Sequence, residues 1–116
     1  MAKECRVDFP NDLIISAKSL EHLGLSELAW SWEEAIRTVE FLCKNNYSIL
    51  GGDVYLMAEG SLDSTYDSWY FNRNEAKSNQ ELIKESSERA IKYINEYHEM
   101  NGDDYYYSLV FEQYNK

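Results

Sequence analysis

Proline occurs once in the chain, at Pro10, and cysteine twice, at Cys5 and Cys43. Two distant cysteines cannot staple a small fold, so a disulfide scaffold is excluded. Cys43 lies on an apolar helical face and reads as a buried thiol. The cysteines and histidines lack the spacing of a zinc site, and the aspartates lack that of a calcium loop. No apolar run approaches the ~20 residues that cross a bilayer. Met1-Ala2-Lys3-Glu4 does not open a secretion signal, so the cytoplasm is the expected location. Cations are the other shortage: eleven Lys and Arg face twenty-one Asp and Glu, for a formal net charge of -10. Nucleic acid and anionic membrane surfaces call for a basic face, and both are set aside as partners. A basic protein would instead be attracted and steered in.

What is present suffices for one core. With 116 residues, 44% of them hydrophobic, residues 1–116 read as a single domain that folds without metal or disulfide. Aromatics reach 15%, including ten tyrosines, a residue suited both to strands and to interfaces. Asn11 or Asp12 can cap a first helix whose stripe is Leu13, Ile14, Ala17, Leu20 and Leu23, with Gly24 as its stop. A second helix starts near Ser31, where Ser31 and Glu34 fit a capping box; Leu28, Ala29 and Trp30 also allow a start near Glu27. Ala35, Ile36, Val39, Leu42 and Cys43 form its apolar stripe, and Asn45-Asn46 ends it.

A strand over 48–57 places Leu50, Val54 and Leu56 on one face and Asp53 and Tyr55 on the other. Gly51-Gly52 inside it signals a bulge or a close backbone approach. A loop over 58–64 leads to a second strand over 65–72, forming an antiparallel hairpin. Ser78 and Glu81 open a third helix lined by Leu82, Ile83, Ser86, Ala90, Tyr93, Ile94 and Tyr97, stopped by Asn101-Gly102. A last strand covers 105–112. The order α-α-β-β-α-β predicts an α+β fold, a small three-stranded, antiparallel-containing sheet packed on about three helices. A right-handed crossover through the third helix would give strand order 2-1-3.

Chemistry is sparse. His22 and His98 sit near predicted helix ends without a nucleophile and read as solvated. Gly51-Gly52-Asp53 lies in a strand with no following lysine, so it is not a phosphate loop. Asp53 either accepts backbone hydrogen bonds in a bulge or is a surface recognition residue. Asp53, Asp63 and Asp67 could supply a carboxylate pair for hydrolysis, but so acidic a chain offers such pairs by chance. Alternation sets Tyr66 and Tyr70 against Asp67 and Trp69. One row shares the core with Val54; the other faces outward beside Asp53 and Tyr55, unless helices cover that face too.

Ile49-Leu50-Gly51-Gly52-Asp53-Val54-Tyr55 and Thr65-Tyr66-Asp67-Ser68-Trp69-Tyr70 resemble segments of the immunity protein 40 family of bacterial polymorphic-toxin systems. Ser86, Ala90, Tyr93-Ile94 and Tyr97 continue the likeness, as does the closing Leu109-Val110-Phe111. Ser68 departs from it, standing where asparagine is expected. The resemblance implies an α+β protein without enzymatic activity, catalytic residue, metal or cofactor. It would bind a cognate toxin domain and block the active site or its approaches. A nuclease toxin would present a basic cleft, and the acidic charge would suit it by mimicking phosphate. Candidate contacts are Asp53, Tyr55, Asp67 and Trp69, with Asp63, Asp103 and Asp104 on loops. The chain would be a monomer or weak homodimer. The alternatives are an adaptor domain that dimerises through a sheet edge and a small carboxylate-dependent hydrolase.

Overall fold

The computed structural model describes residues 9–24, 27–72 and 78–113. Along them run α1 (Asn11–Ser16), β1 (Lys18–Ser19), a 3-10 turn (Glu21–Leu23), β2 (Leu28–Ser31) and α2 (Trp32–Lys44). β3 (Tyr47–Ala58), β4 (Ser61–Tyr70), α3 (Asn79–Asn101) and β5 (Tyr105–Gln113) complete the chain. The class is α+β, but the sheet has five strands, not three, in the order β1-β2-β5-β3-β4, with every neighbouring pair antiparallel. The predicted order of the three long strands is present within it. β5 lies beside β3 and antiparallel to it, so β4 and β5 run parallel with β3 between them.

β1 comes from the end of the first expected helix, of which α1 is the only α-helical part, and β2 from the stretch that also allows an earlier start of the second. The stripe of the first is divided between two cores. Leu13 packs with the helices on one sheet face, whereas Leu20 packs with Ala29, Tyr55 and Leu62 on the other. One straight helix cannot serve both faces. The helix therefore stops at Ser16, and the chain crosses as β1, with the Leu20 N–H donating to the Glu27 carbonyl at 3.2 Å. Leu28–Ser31 extends instead of coiling because Trp30 faces the helical core while Ala29 faces the outer cluster. A strand buried on both faces shows no polar alternation.

The predicted loop over 58–64 contracts to a two-residue turn between Ala58 and Ser61. Glu59 and Gly60 both take positive φ, 54° and 85°, the pair of left-handed residues that a tight hairpin of matching twist requires. Ser78 caps α3 as expected, its Oγ accepting the Glu81 N–H at 3.1 Å. Ser31 stands at the N-cap of α2 without a side-chain cap bond. Cys43 is half-buried, and Cys5 lies outside the described residues.

The main core fills the space between α2, α3 and one sheet face. Its aromatic spine runs from Trp69 through Tyr93, stacked at 4.7 Å, to Tyr97, which meets Tyr105 and Tyr107 edge-on. Burial raises the phenol of Tyr97 to about 12, with its hydrogen bond to Asp67 adding to the effect. Tyr55, Tyr93 and Tyr107 shift upward for the same first reason. An unfolded tyrosine ionises near pH 10, so it releases protons that the native state retains. Stability should therefore be intact below that pH and fall as pH climbs toward about 12. Tyrosinate absorbance recorded beside circular dichroism should show these four phenols ionising only as helix is lost.

Candidate functional site

Cross-strand partners share a sheet face. Trp30, Tyr107 and Val54 form one row against the helices, and Trp69, Gly52 and Leu109 the next. The intervening rows define the outer face. Ala29, Ser108, Asp53 and Ser68 align across four strands, and Val110, Gly51 and Tyr70 line up beside them. At one end this face is covered. Leu20 and the following turn lie over Tyr55 and Leu62, and His22 Nε2 approaches the Leu62 carbonyl at 2.7 Å. Ala29 and Ser108 are also fully buried, and the face opens only toward β4 and the end of β5, where Ser68, Tyr70 and Val110 are exposed beside the half-buried Asp53.

The sequence candidates separate on this frame. Trp69 and Tyr55 are 5% and 4% exposed, so neither reaches the surface. Trp69 belongs to the row that shares the helical core. The row that faces outward beside Asp53 contains Tyr70. Asp53 is half-buried on the outer face, between the buried Ser108 and the exposed Ser68. Asp63, Asp67, Asp103 and Asp104 are all exposed. Asp67 lies on the helix side of β4, its Oδ2 accepting the hydroxyl of Tyr97 from α3 at 2.8 Å. The Met57 N–H donates to the Asp104 carbonyl at 2.8 Å. That bond brings the turn before β5 beside the hairpin end, where Leu56 pairs with both Asp63 and Tyr105. Asp63, Asp103 and Asp104 therefore gather at one end of the sheet, and Asp53 and Asp67 lie further along it.

Glu27 is not legible from the residues as part of this surface, because Leu28, Ala29 and Trp30 fit a helix equally well. Burial, and then the charge of Asp53, push its carboxyl upward. Among the described residues neither acid has an ion-pair partner. The reason is written in the chain: no lysine or arginine occurs from Asn45 to Asn72 or from Tyr93 to Asn115. β3, β4 and β5 hold no cation of their own. Arg89 reaches in from α3, donating to the Tyr70 carbonyl at 3.1 Å at the far end of β4.

The histidines form no reactive pair. His98 is not solvated as expected: its ring stacks on Trp32 at 3.8 Å, and Nε2 lies 3.5 Å from Asp103 Oδ1. Trp32 Nε1 donates to Asn95 Oδ1 at 2.7 Å, so this group joins α2 to α3. Among the described residues no cluster of three or more His, Cys, Asp and Glu is arranged to hold a metal ion. No helix there is long and apolar enough to cross a membrane.

Fold and surface together define a small α+β protein that presents an anionic, aromatic-edged sheet to its surroundings. The family model for immunity protein 40 matches residues 19–111. The chain belongs to that family of immunity proteins, which implies neutralisation of a cognate toxin and is typically non-enzymatic. No match is found among curated proteins or among solved structures.

Proposed function

We propose that the chain neutralises its toxin by laying the β3–β4–β5 half of the sheet over a basic surface at the toxin's active site or its approaches. The observation that carries this reading is the lack of lysine and arginine in those three strands, set against the exposure of Asp63, Asp67, Asp103 and Asp104 and the partial exposure of Asp53. A toxin cleft built to hold an anionic substrate, as in a nuclease, supplies the complementary charge. Carboxylates would steer the encounter and occupy the place of phosphates. A standard interface takes about 800 Å² from each partner, roughly a ninth of this protein's 7229 Å². Asp53 lies on the outer face and Asp63 and Asp67 on the helix side of β4, so such a contact would take in the β4 edge and the hairpin end. Tyr55 and Trp69 contribute from beneath, by fixing the strands that carry the acids.

Among the described residues β4 is an edge strand, but pairing two copies there would set Asp63 and Asp67 of one strand against those of the other. Like charges across a ladder repel, so the free protein should be a monomer. The test of function is co-expression with the toxin domain encoded beside this chain. The two should co-purify one to one, and growth should be restored. A toxin domain that stays lethal and does not bind would overturn the reading.

A further inference from the structure

Tyr66 adopts a backbone conformation that favours glycine, and its ring gains no burial there. β3 and β4 keep register from Ala58 opposite Ser61 to Tyr55 opposite Ser64, and again from Asp53 opposite Ser68. Between those points Thr65, Tyr66 and Asp67 stand against Val54 alone. The surplus is absorbed at Tyr66, whose φ is 67°, a left-handed value that a bulky side chain adopts only under constraint. The constraint is visible on both sides. Ser64 Oγ accepts the Tyr66 N–H at 3.0 Å, and Thr65 Oγ1 accepts the Asp67 N–H at 3.0 Å while donating to the Val54 carbonyl at 2.9 Å. Asp67 is held in turn by Tyr97. Yet the residue so fixed is 91% exposed.

A bulge on an edge strand also guards against edge-to-edge pairing. That role needs the bulge and not the ring: glycine or asparagine would form it with less strain. The ring therefore calls for a separate reason. Resting on the reading that this half of the sheet meets the toxin, we infer that Tyr66 is the aromatic anchor of the contact and receives an arginine from the toxin's basic surface. Arginine is the side chain that stacks its guanidinium on a tyrosine face and also reaches a carboxylate. Asp67 follows Tyr66 directly, Asp63 precedes it by three residues, and no cation on β4 competes for either. Because the backbone is pinned before binding, covering the ring costs side-chain freedom but little backbone freedom.

Three measurements on Tyr66→Gly and Tyr66→Phe test this: thermal unfolding, affinity, and the dissociation rate from the toxin domain encoded beside this chain. Tyr66→Gly is expected to melt at or above the wild-type temperature. It should bind about 30-fold more weakly, chiefly through faster dissociation. Tyr66→Phe keeps the ring and should bind nearly as the wild type does. A lower melting temperature for Tyr66→Gly would make the ring a support of the fold and overturn the inference. Unchanged affinity of Tyr66→Gly, with the wild-type complex intact, would also overturn it while leaving the functional reading in place. A wild-type protein that does not bind the toxin domain would remove both.

Discussion

Alanine at position 52 is expected to lower the stability of the domain by about 3 kcal/mol or more, a large share of the roughly 5–15 kcal/mol that holds a small domain together. The added methyl would overlap the Ser108 carbonyl oxygen and the Trp69 ring edge, with Trp69 Cζ3 only 2.7 Å away. Neither obstacle gives way easily. Trp69 is clamped from its other side by Tyr93 at 4.7 Å, and the Ser108 oxygen is backbone in the central strand. Gly60 is the control. Its φ of 85° strains any other residue, but nothing lies within 4 Å of where its Cβ would be, so Gly60→Ala should cost about 1 kcal/mol from conformation alone. Urea midpoints should separate the two plainly. Gly52→Ala combined with Trp69→Leu should recover part of the loss and not all of it, because the overlap with Ser108 remains. If Gly52→Ala unfolds at the wild-type midpoint, Trp69 does not rest on Gly52 as described. Since Asp53 is the next residue, the same substitution should also abolish protection against the toxin.

That pair explains what can be read from the residues alone. A double glycine in an apolar strand announces close approach, and the structure supplies the partner: the Trp69 indole covers the missing side chain. Helix α3 is legible because one stripe faces one core for its whole length and Ser78 closes its start. The N-terminal quarter is not legible, because Leu13 and Leu20 serve cores on opposite sides of the sheet. Helical spacing records that both are buried, not where. β2 is hidden for a related reason, since Ala29 and Trp30 are both buried and leave no polar row to mark a strand. The acids of the candidate surface are legible as residues, and their exposure follows from their charge. The aromatic component differs from expectation. Tyr55 sits beneath Leu20, a cover that depends on β1, and Trp69 turns inward because Gly52 leaves room for it. The exposed rings are Tyr66 and Tyr70, at 91% and 73%. Which of two alternating rows faces out depends on the register, and the bulge at Thr65–Asp67 alters that register.

Asp53→Lys combined with Asp63→Lys is expected to slow association with the toxin domain by about ten- to a hundredfold and to flatten its salt dependence. The matched control is Glu85→Lys combined with Glu88→Lys, which changes net charge by the same amount on the exposed side of α3. If the approach is guided locally, only the first pair should be strongly impaired at physiological ionic strength, where fields fade over about 8 Å. Folding should survive the change. In the native chain burial and the charge of Asp53 push the Glu27 carboxyl upward. Asp53→Lys puts a cation in place of that charge, and a repulsion would become a weak attraction of under about 1 kcal/mol. Loss of rate with stability retained or slightly raised would assign the effect to the toxin contact. Equal slowing by both pairs would mean that total charge, not its position on β3 and β4, draws the toxin in. Normal association after the first reversal would move the contact to another face, leaving the family's neutralising role intact and the sheet as its scaffold.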